Sequence, residues 1–188
     1  MPPESVIIKK KICMLGAFAV GKTSLAERFV HDRFDEKYLT TLGVNISQRT
    51  LAPFRHPQFG LPVQHLLLIW DIAGFEKFDR ITSSYFRGAS GALAVMDICR
   101  PDTARDVSII CEKFLSVCPD AGLVFVCNNK DLHQNENLDP QVFERTAEQF
   151  EAELLLTSAK NGENVDRAFQ CLSMKLGGRD GRIDTQPA

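Results

Sequence analysis

The chain is expected to fold as an α/β layer structure, a mostly parallel sheet flanked by helices on both faces. Three observations predict it. Apolar runs alternate with helix-like segments along the length. Runs such as Leu66-Leu67-Leu68-Ile69-Trp70 are continuously apolar, as strands buried on both faces are. The 188 residues suffice for one domain with a large core.

Taken in order, 6–15 reads as a strand and 22–32 as a helix. Strands follow at 44–51, 63–72 and 91–98, then a helix at 102–117. The remainder reads as strand 123–128, helix 140–151, strand 154–157 and helix 165–176. Between the second and third strands, 50–64 carries Pro53, Pro57 and Pro62 and is expected to be an irregular, extended hairpin turn. It reads as surface decoration or as a hold for a partner. The domain is predicted over 6–176, with a polar, disordered tail at 177–188.

Net charge is −2, which offers no electrostatic case for nucleic acid or an anionic membrane. Lys9-Lys10-Lys11 reads as a solvated strand edge. The six cysteines are scattered without a C-x-x-C pair, and the histidines lack metal-ligand spacing. No apolar run reaches membrane-spanning length and no signal peptide is seen, so a cytoplasmic protein with reduced thiols is expected.

The run Gly16-Ala17-Phe18-Ala19-Val20-Gly21-Lys22-Thr23 fits G-x-x-x-x-G-K-[ST] between the first strand and the first helix. Such a loop cradles the β-phosphate of a nucleotide. Its backbone N–H groups and the helix N-terminus favour phosphate oxygens. Lys22 supplies a point charge, and the Thr23 hydroxyl can ligate Mg²⁺. Asp71-Ile72-Ala73-Gly74 closes a buried strand. Asp71 is placed to hold Mg²⁺ from its far side, and Gly74 lets a backbone N–H approach the γ-phosphate. Asn128-Asn129-Lys130-Asp131 ends another strand. The Asp131 carboxylate can accept from N1–H and the 2-amino group of guanine, a pair of donors that adenine lacks. An acid left unpaired against adenine costs about 1–3 kcal/mol. Thr157-Ser158-Ala159-Lys160 follows the last strand, where a backbone N–H can meet guanine O6. All of these fall at carboxyl ends of strands, where ligands of such sheets bind.

Together these residues resemble the Ras superfamily of small GTP-binding proteins, over roughly residues 6 to 176. The Rab branch is the nearest. Trp70-Asp71-Ile72-Ala73-Gly74 resembles its W-D-T-A-G, and 81–89 resembles I-T-S-S-Y-Y-R-G-A. Thr157-Ser158-Ala159-Lys160-Asn161-Gly162 resembles T-S-A-K-N-G, and Thr41-Leu42-Gly43-Val44 resembles T-I-G-V. The resemblance implies a P-loop NTPase-type small G domain with a six-stranded sheet. It implies a GTP/GDP-binding molecular switch that uses Mg²⁺. Nucleotide contacts fall on Ala19, Val20, Gly21, Lys22, Thr23, Ser24, Phe34, Tyr38 and Thr41, and on Gly74, Asn128, Asn129, Asp131, Ser158, Ala159 and Lys160. Thr23, Thr41 and Asp71 would surround the metal, and Lys22, Thr41 and Gly74 would serve the reaction. The family's two switches map to 34–45 and 73–87. Effectors and regulators would dock over 34–46 and 70–87, with Ile46, Trp70 and Tyr85 as an apolar patch. Plain core packing accounts for Trp70 and Tyr85 equally well.

Four departures qualify that reading. Phe75 stands where the family has the glutamine that orients the attacking water, and its side chain has no polar atom. Phe18 stands where the family has glycine or another small residue, in space an incoming arginine finger uses. Such a finger is worth roughly 10³–10⁵ in rate. Hydrolysis is therefore expected to be slow or absent, whether the two aromatics exclude water from the γ-phosphate or have simply drifted. Glu76 is a further candidate for orienting water. The alternative is a hydrolysis-deficient, GTP-bound interaction module. Asn129 replaces a lysine whose stem lies along guanine and whose amine reaches the phosphate loop. Last, Cys171 is the final cysteine and no C-terminal prenylation motif, and no lipid anchor of that kind, is evident, so either the sequence stops short of one or the protein does not work from a membrane by that route.

Overall fold

The strand Val6–Leu15 (β1) sets the frame, because Ile12, Cys13, Met14 and Leu15 are all inaccessible to solvent. Side chains alternate across a strand, so a run buried at every position must be covered on both faces. The computed structural model describes residues 5–35, 41, 43–55, 62–73, 80–132 and 141–176. From β1 the chain runs through Lys22–His31 (α1), Val44–Thr50 (β2), Phe54–Arg55 (β3) and Pro62–Ile72 (β4). Arg80–Phe86 (α2), Gly91–Asp97 (β5), Asp102–Val117 (α3) and Gly122–Asn128 (β6) follow. Gln141–Glu148 (α4), Glu153–Leu156 (β7) and Val165–Leu176 (α5) complete it.

The strands form one sheet in the order β2-β4-β1-β5-β6-β7, with β3 alongside β4. β4, β1, β5, β6 and β7 are parallel, whereas β2 and β3 pair antiparallel with β4. On one face Ile12, Met14, Leu67, Ile69, Leu93 and Val95 pack under α1 and α5. There Phe29 and Phe169 stack with ring centroids 3.8 Å apart and nearly parallel planes. On the other face Cys13, Leu15, Ala92 and Ala94 meet Phe86, Phe114 and Phe143. Phe86 and Phe114 meet edge-on at 5.2 Å. Truncating a fully buried phenylalanine of this kind removes about 3–5 kcal/mol.

β1, α3 and α5 run as the sequence predicts. Most other element ends shift by a single residue, and three differences are larger. The irregular stretch contains β3, so among the described residues the sheet has seven strands rather than six. Phe54 and Arg55 pair with Val63 and Pro62. Pro62 is tolerated because it is the first residue of β4, where a missing N–H costs little. The helix α2 is absent from the sequence reading, since Ile81, Thr82, Ser83 and Ser84 are weak helix formers. Burial of Phe86 on the second core provides what propensity does not. Finally, α4 ends at Glu148 rather than 151. Its exit tightens into Phe150 N–H to Ala147 O and Glu151 N–H to Glu148 O bonds, with Glu151 at φ 51°. Residues 56–61 of the hairpin and the tail 177–188 lie outside the described residues.

All six cysteines are free thiols, and Cys99 is the exposed one. Burial pushes Cys13 and Cys127 up to about 12, and raises Cys111 as well. Thiolate is the reactive form, so these thiols are protected twice, by access and by ionisation. Titration of native protein with a thiol-reactive disulfide should show one fast equivalent, abolished by Cys99→Ser, with the rest reacting only on unfolding.

Candidate functional site

The loop between β1 and α1 is held by its carbonyl groups. Lys22 Nζ donates to Gly16 O at 3.0 Å and Ala17 O at 2.8 Å. Arg100 Nη2 donates to Phe18 O at 3.0 Å. Asn128 Nδ2 donates to Val20 O at 3.1 Å, and Leu25 N–H to Gly21 O at 2.9 Å. Carbonyls committed in this way leave the loop's amide edges for an anion. Phe18, Ala19, residues 21–24 and Thr41 line the cavity they face. Glycine is required twice. A Cβ on Gly16 would stand 2.3 Å from Val95 O, and one on Gly21 would stand 2.2 Å from Asn128 Nδ2. Ala19 sits at φ 59°, a left-handed conformation that costs a residue with a Cβ roughly 1–2 kcal/mol. Val20 turns its side chain into the core and contributes backbone alone.

Lys22 is buried, and loss of solvent pulls its ammonium down to about 8. The nearby Asp71 carboxylate opposes that shift, and Arg100 adds to it. Beside it, Thr23 Oγ1 donates to Asp71 Oδ2 at 2.6 Å and lies 2.8 Å from Thr41 Oγ1. With the Thr23 proton given to Asp71, Thr41 must be the donor in the second bond. Asp71 is 1% exposed, and its Oδ1 has no hydrogen-bond partner among the described residues. Burial raises its pKa, against the Thr23 hydrogen bond and the charge of Lys22. A buried carboxylate oxygen left over beside two hydroxyls fits a hard divalent cation such as Mg²⁺. The three residues expected around the metal are thus brought together.

The other half of the rim is built around Asn128, which is 1% exposed. Its Nδ2 reaches the phosphate loop, and its Oδ1 accepts from Thr157 Oγ1 at 3.3 Å and from Ala159 N–H at 3.2 Å. The sequence reading puts Asn128 on guanine. Its side chain ties the phosphate loop to 157–159, and the Ala159 amide, a candidate for guanine O6, donates to it. Ser158 Oγ donates to Asp131 Oδ1 at 2.6 Å and so aims that carboxylate. Asn129 lies at φ 66°, with Oδ1 3.3 Å from Asn128 Nδ2. Lys130 pairs with Glu163, away from the phosphate loop, so it does not replace the lysine missing at 129. Phe34 is partly buried against the core under α1 and α5. Ser24 lines the cavity, and Lys160 enters through its backbone oxygen.

Sequence reasoning misses two arginines. Arg28 on α1 donates to Ala159 O at 2.8 Å and Lys160 O at 2.6 Å, and so fixes that loop from below. Arg100 holds the phosphate loop. Neither belongs to a local motif, and no spacing signal announces them. Tyr38, Gly74, Phe75 and Glu76 lie outside the described residues. Phe18 is 40% exposed at the cavity. Ile46, 52% exposed, pairs across strands with Trp70, whose ring lies 6.3 Å from Tyr85 and under Lys11 Nζ. Trp70 and Tyr85 also pack on the second core.

Comparison with known proteins agrees with this geometry. A sequence profile of the Ras family matches residues 11–177. The Ras-related protein RABD2a of Arabidopsis thaliana is 32% identical over 179 residues, spanning 95% of this chain and 83% of the relative. Human Ras-related protein Rab-12 is 35% identical over 172 residues, or 89% and 67% of the two chains. Ras-related protein Rab-1C of Dictyostelium discoideum is 33% identical over 162 residues, or 85% and 76%. Among the described residues no helix is long and apolar enough to cross a membrane. A mostly parallel sheet with a glycine-lysine loop at its rim, matched over nearly its whole length, places the chain in the Ras family of small GTPases, among relatives of the Rab type.

Proposed function

We propose that this chain is a guanine-nucleotide switch in which GTP or GDP lies along the rim and GTP is hydrolysed slowly if at all. The observation that carries the reading is the phosphate loop, whose carbonyls at Gly16, Ala17, Phe18, Val20 and Gly21 are all bonded to donors. Phosphates would lie on the amides of 19–24, with Lys22 as counter-charge. Thr23, Thr41 and Asp71 would hold Mg²⁺, which when bound neutralises charge between the β- and γ-phosphates. Asp131, aimed by Ser158, would select guanine. Asn128 and Ala159 act in this reading by positioning the base loop, Phe34 by flanking the base, and Asn129 and Lys160 through their loops. Tyr38 and Gly74 keep the roles that family membership suggests. We assign the site to one domain over 6–176. A reducing, cytoplasmic setting is the reading that six free thiols support.

Slow turnover rests on Phe75 and Phe18. Glutamine at 75 would place an amide where water must be oriented, whereas phenylalanine offers nothing to it. Phe18 stands at the mouth of the phosphate cavity. The same observation favours a second reading, an interaction module that stays charged with GTP. Effectors and regulators would meet it over 34–46 and 70–87, where Ile46 is open to solvent.

Two measurements test these roles. Single-turnover cleavage of GTP should be slow in the wild type and faster in Phe75→Gln, by about tenfold or more. A wild type as fast as the glutamine variant contradicts slow turnover, and no detectable cleavage in either favours the interaction module. Asp131→Asn exchanges one acceptor for a donor, matching the 2-oxo group of xanthine. That variant should lose GDP affinity by about a hundredfold and gain affinity for xanthosine diphosphate, read by competition binding. Unchanged preference would remove Asp131 from the base site.

A further inference from the structure

The family lysine that reaches the phosphate loop is missing at position 129, and neither Asn129 nor Lys130 takes its place. Asn129 is short, and its Oδ1 lies 3.3 Å from Asn128 Nδ2. Lys130 forms its ion pair with Glu163. Besides Lys22, a second cation reaches the loop, from the turn after the adjacent strand. β5 ends at Asp97, and the chain turns at once, with Arg100 N–H bonded to Asp97 O at 2.9 Å. Asp97 is 6% exposed and fixed within this turn. Its Oδ1 accepts from Cys99 N–H at 3.0 Å, and its own N–H donates to Thr103 Oγ1 at 3.0 Å. Its Oδ2 holds Arg100 Nε at 3.0 Å. A guanidinium anchored at one edge presents its remaining donors in a fixed fork. Nη2 of that fork meets Phe18 O at 3.0 Å.

The Phe18 carbonyl shares its peptide plane with the Ala19 amide. A trans peptide points its N–H opposite its C=O. Holding Phe18 O outward therefore aims the Ala19 N–H into the concavity of the loop. Ala19 is also the loop residue that carries a Cβ at positive φ, 59°, so its conformation needs an external hold.

We infer that Arg100 is a positioning residue for the phosphate loop, fastening the Phe18 carbonyl from the β5–α3 turn in place of the lysine absent at 129. The inference rests on the proposed nucleotide site and adds to it the residue that keeps the loop competent.

The test is release of N-methylanthraniloyl-GDP from Mg²⁺-loaded protein, chased with excess GDP. Arg100→Ala should release it about tenfold faster, the scale of a hydrogen bond from a charged donor. Arg100→Lys should fall between, since it keeps the charge and loses the fork. Asn129→Lys should slow release by a larger factor in Arg100→Ala, bringing it back to within about threefold of wild type, than in the wild type, where only the contact of its stem with the base is gained. A purely structural arginine would not be rescued by a lysine on another strand. Hydrogen exchange of amides 17–20 in nucleotide-free protein reads the same fastening without ligand, and it should quicken in Arg100→Lys. Release from Arg100→Ala within about twofold of wild type, or equal effects of Asn129→Lys in both backgrounds, would overturn the inference alone. So would unchanged exchange in the lysine variant if the alanine variant does not fold. Failure of the wild type to bind the probe would overturn the nucleotide site, and the inference with it.

Discussion

Everything at the rim depends on how the backbone between β1 and α1 is restrained. Three of its residues, Gly16, Ala19 and Gly21, sit at positive φ. Such a segment has much conformational freedom to lose, of order 1–2 kcal/mol per residue. Its order is imposed from outside, through carbonyls bonded to Lys22, Arg100 and Asn128. Asn128 belongs to β6 and also holds Thr157 and Ala159. The phosphate side and the base side are thereby one mechanical piece. Replacing Gly21 by any residue with a Cβ would drive a carbon into Asn128 and separate them.

That piece needs a rigid floor. β1, β5 and β6 are covered on both faces, so their carboxyl ends keep their spacing. The Phe29–Phe169 stack ties α1 to α5, and Arg28 on α1 reaches across to the oxygens of Ala159 and Lys160. One helix therefore serves the phosphate loop at its first turn and the base loop along its length. Burying Asp71 with one oxygen unpaired is costly in a core, and it makes sense where a cation completes the set.

The parts written in contiguous residues are legible from sequence. β1, α3 and α5 can be read to the residue, because long apolar runs and helical periodicity need no distant partner. Thr23 and Asp71 are readable too, because each sits in a motif at a strand end, whereas Thr41 is set beside them by the family resemblance alone. The rest depends on contacts between elements. α2 lacks helix propensity and owes its existence to a core position. β3 needs the neighbouring edge of β4. Asn128 stands in a motif, yet its two-sided bonding shows only when the loops are folded against it. Arg28 and Arg100 act through long-range bonds to backbone oxygens, which leave no trace in local spacing.

The family match places the chain among small GTPases, and its sequence departs from the family pattern at 18, 75 and 129. Phe18 lines the phosphate cavity and Asn129 lies beside Asn128, while the Asp131 and Ser158 pair that would read the base keeps its own hydrogen bond. Selectivity for guanine is therefore expected whatever the rate of turnover. The most direct measurement is calorimetric titration of nucleotide-stripped protein with GDP and with ADP in the presence of Mg²⁺. GDP should bind with a preference over ADP of at least roughly a hundredfold. Folded protein that binds neither at about 1 mM, or binds both alike, would contradict the account.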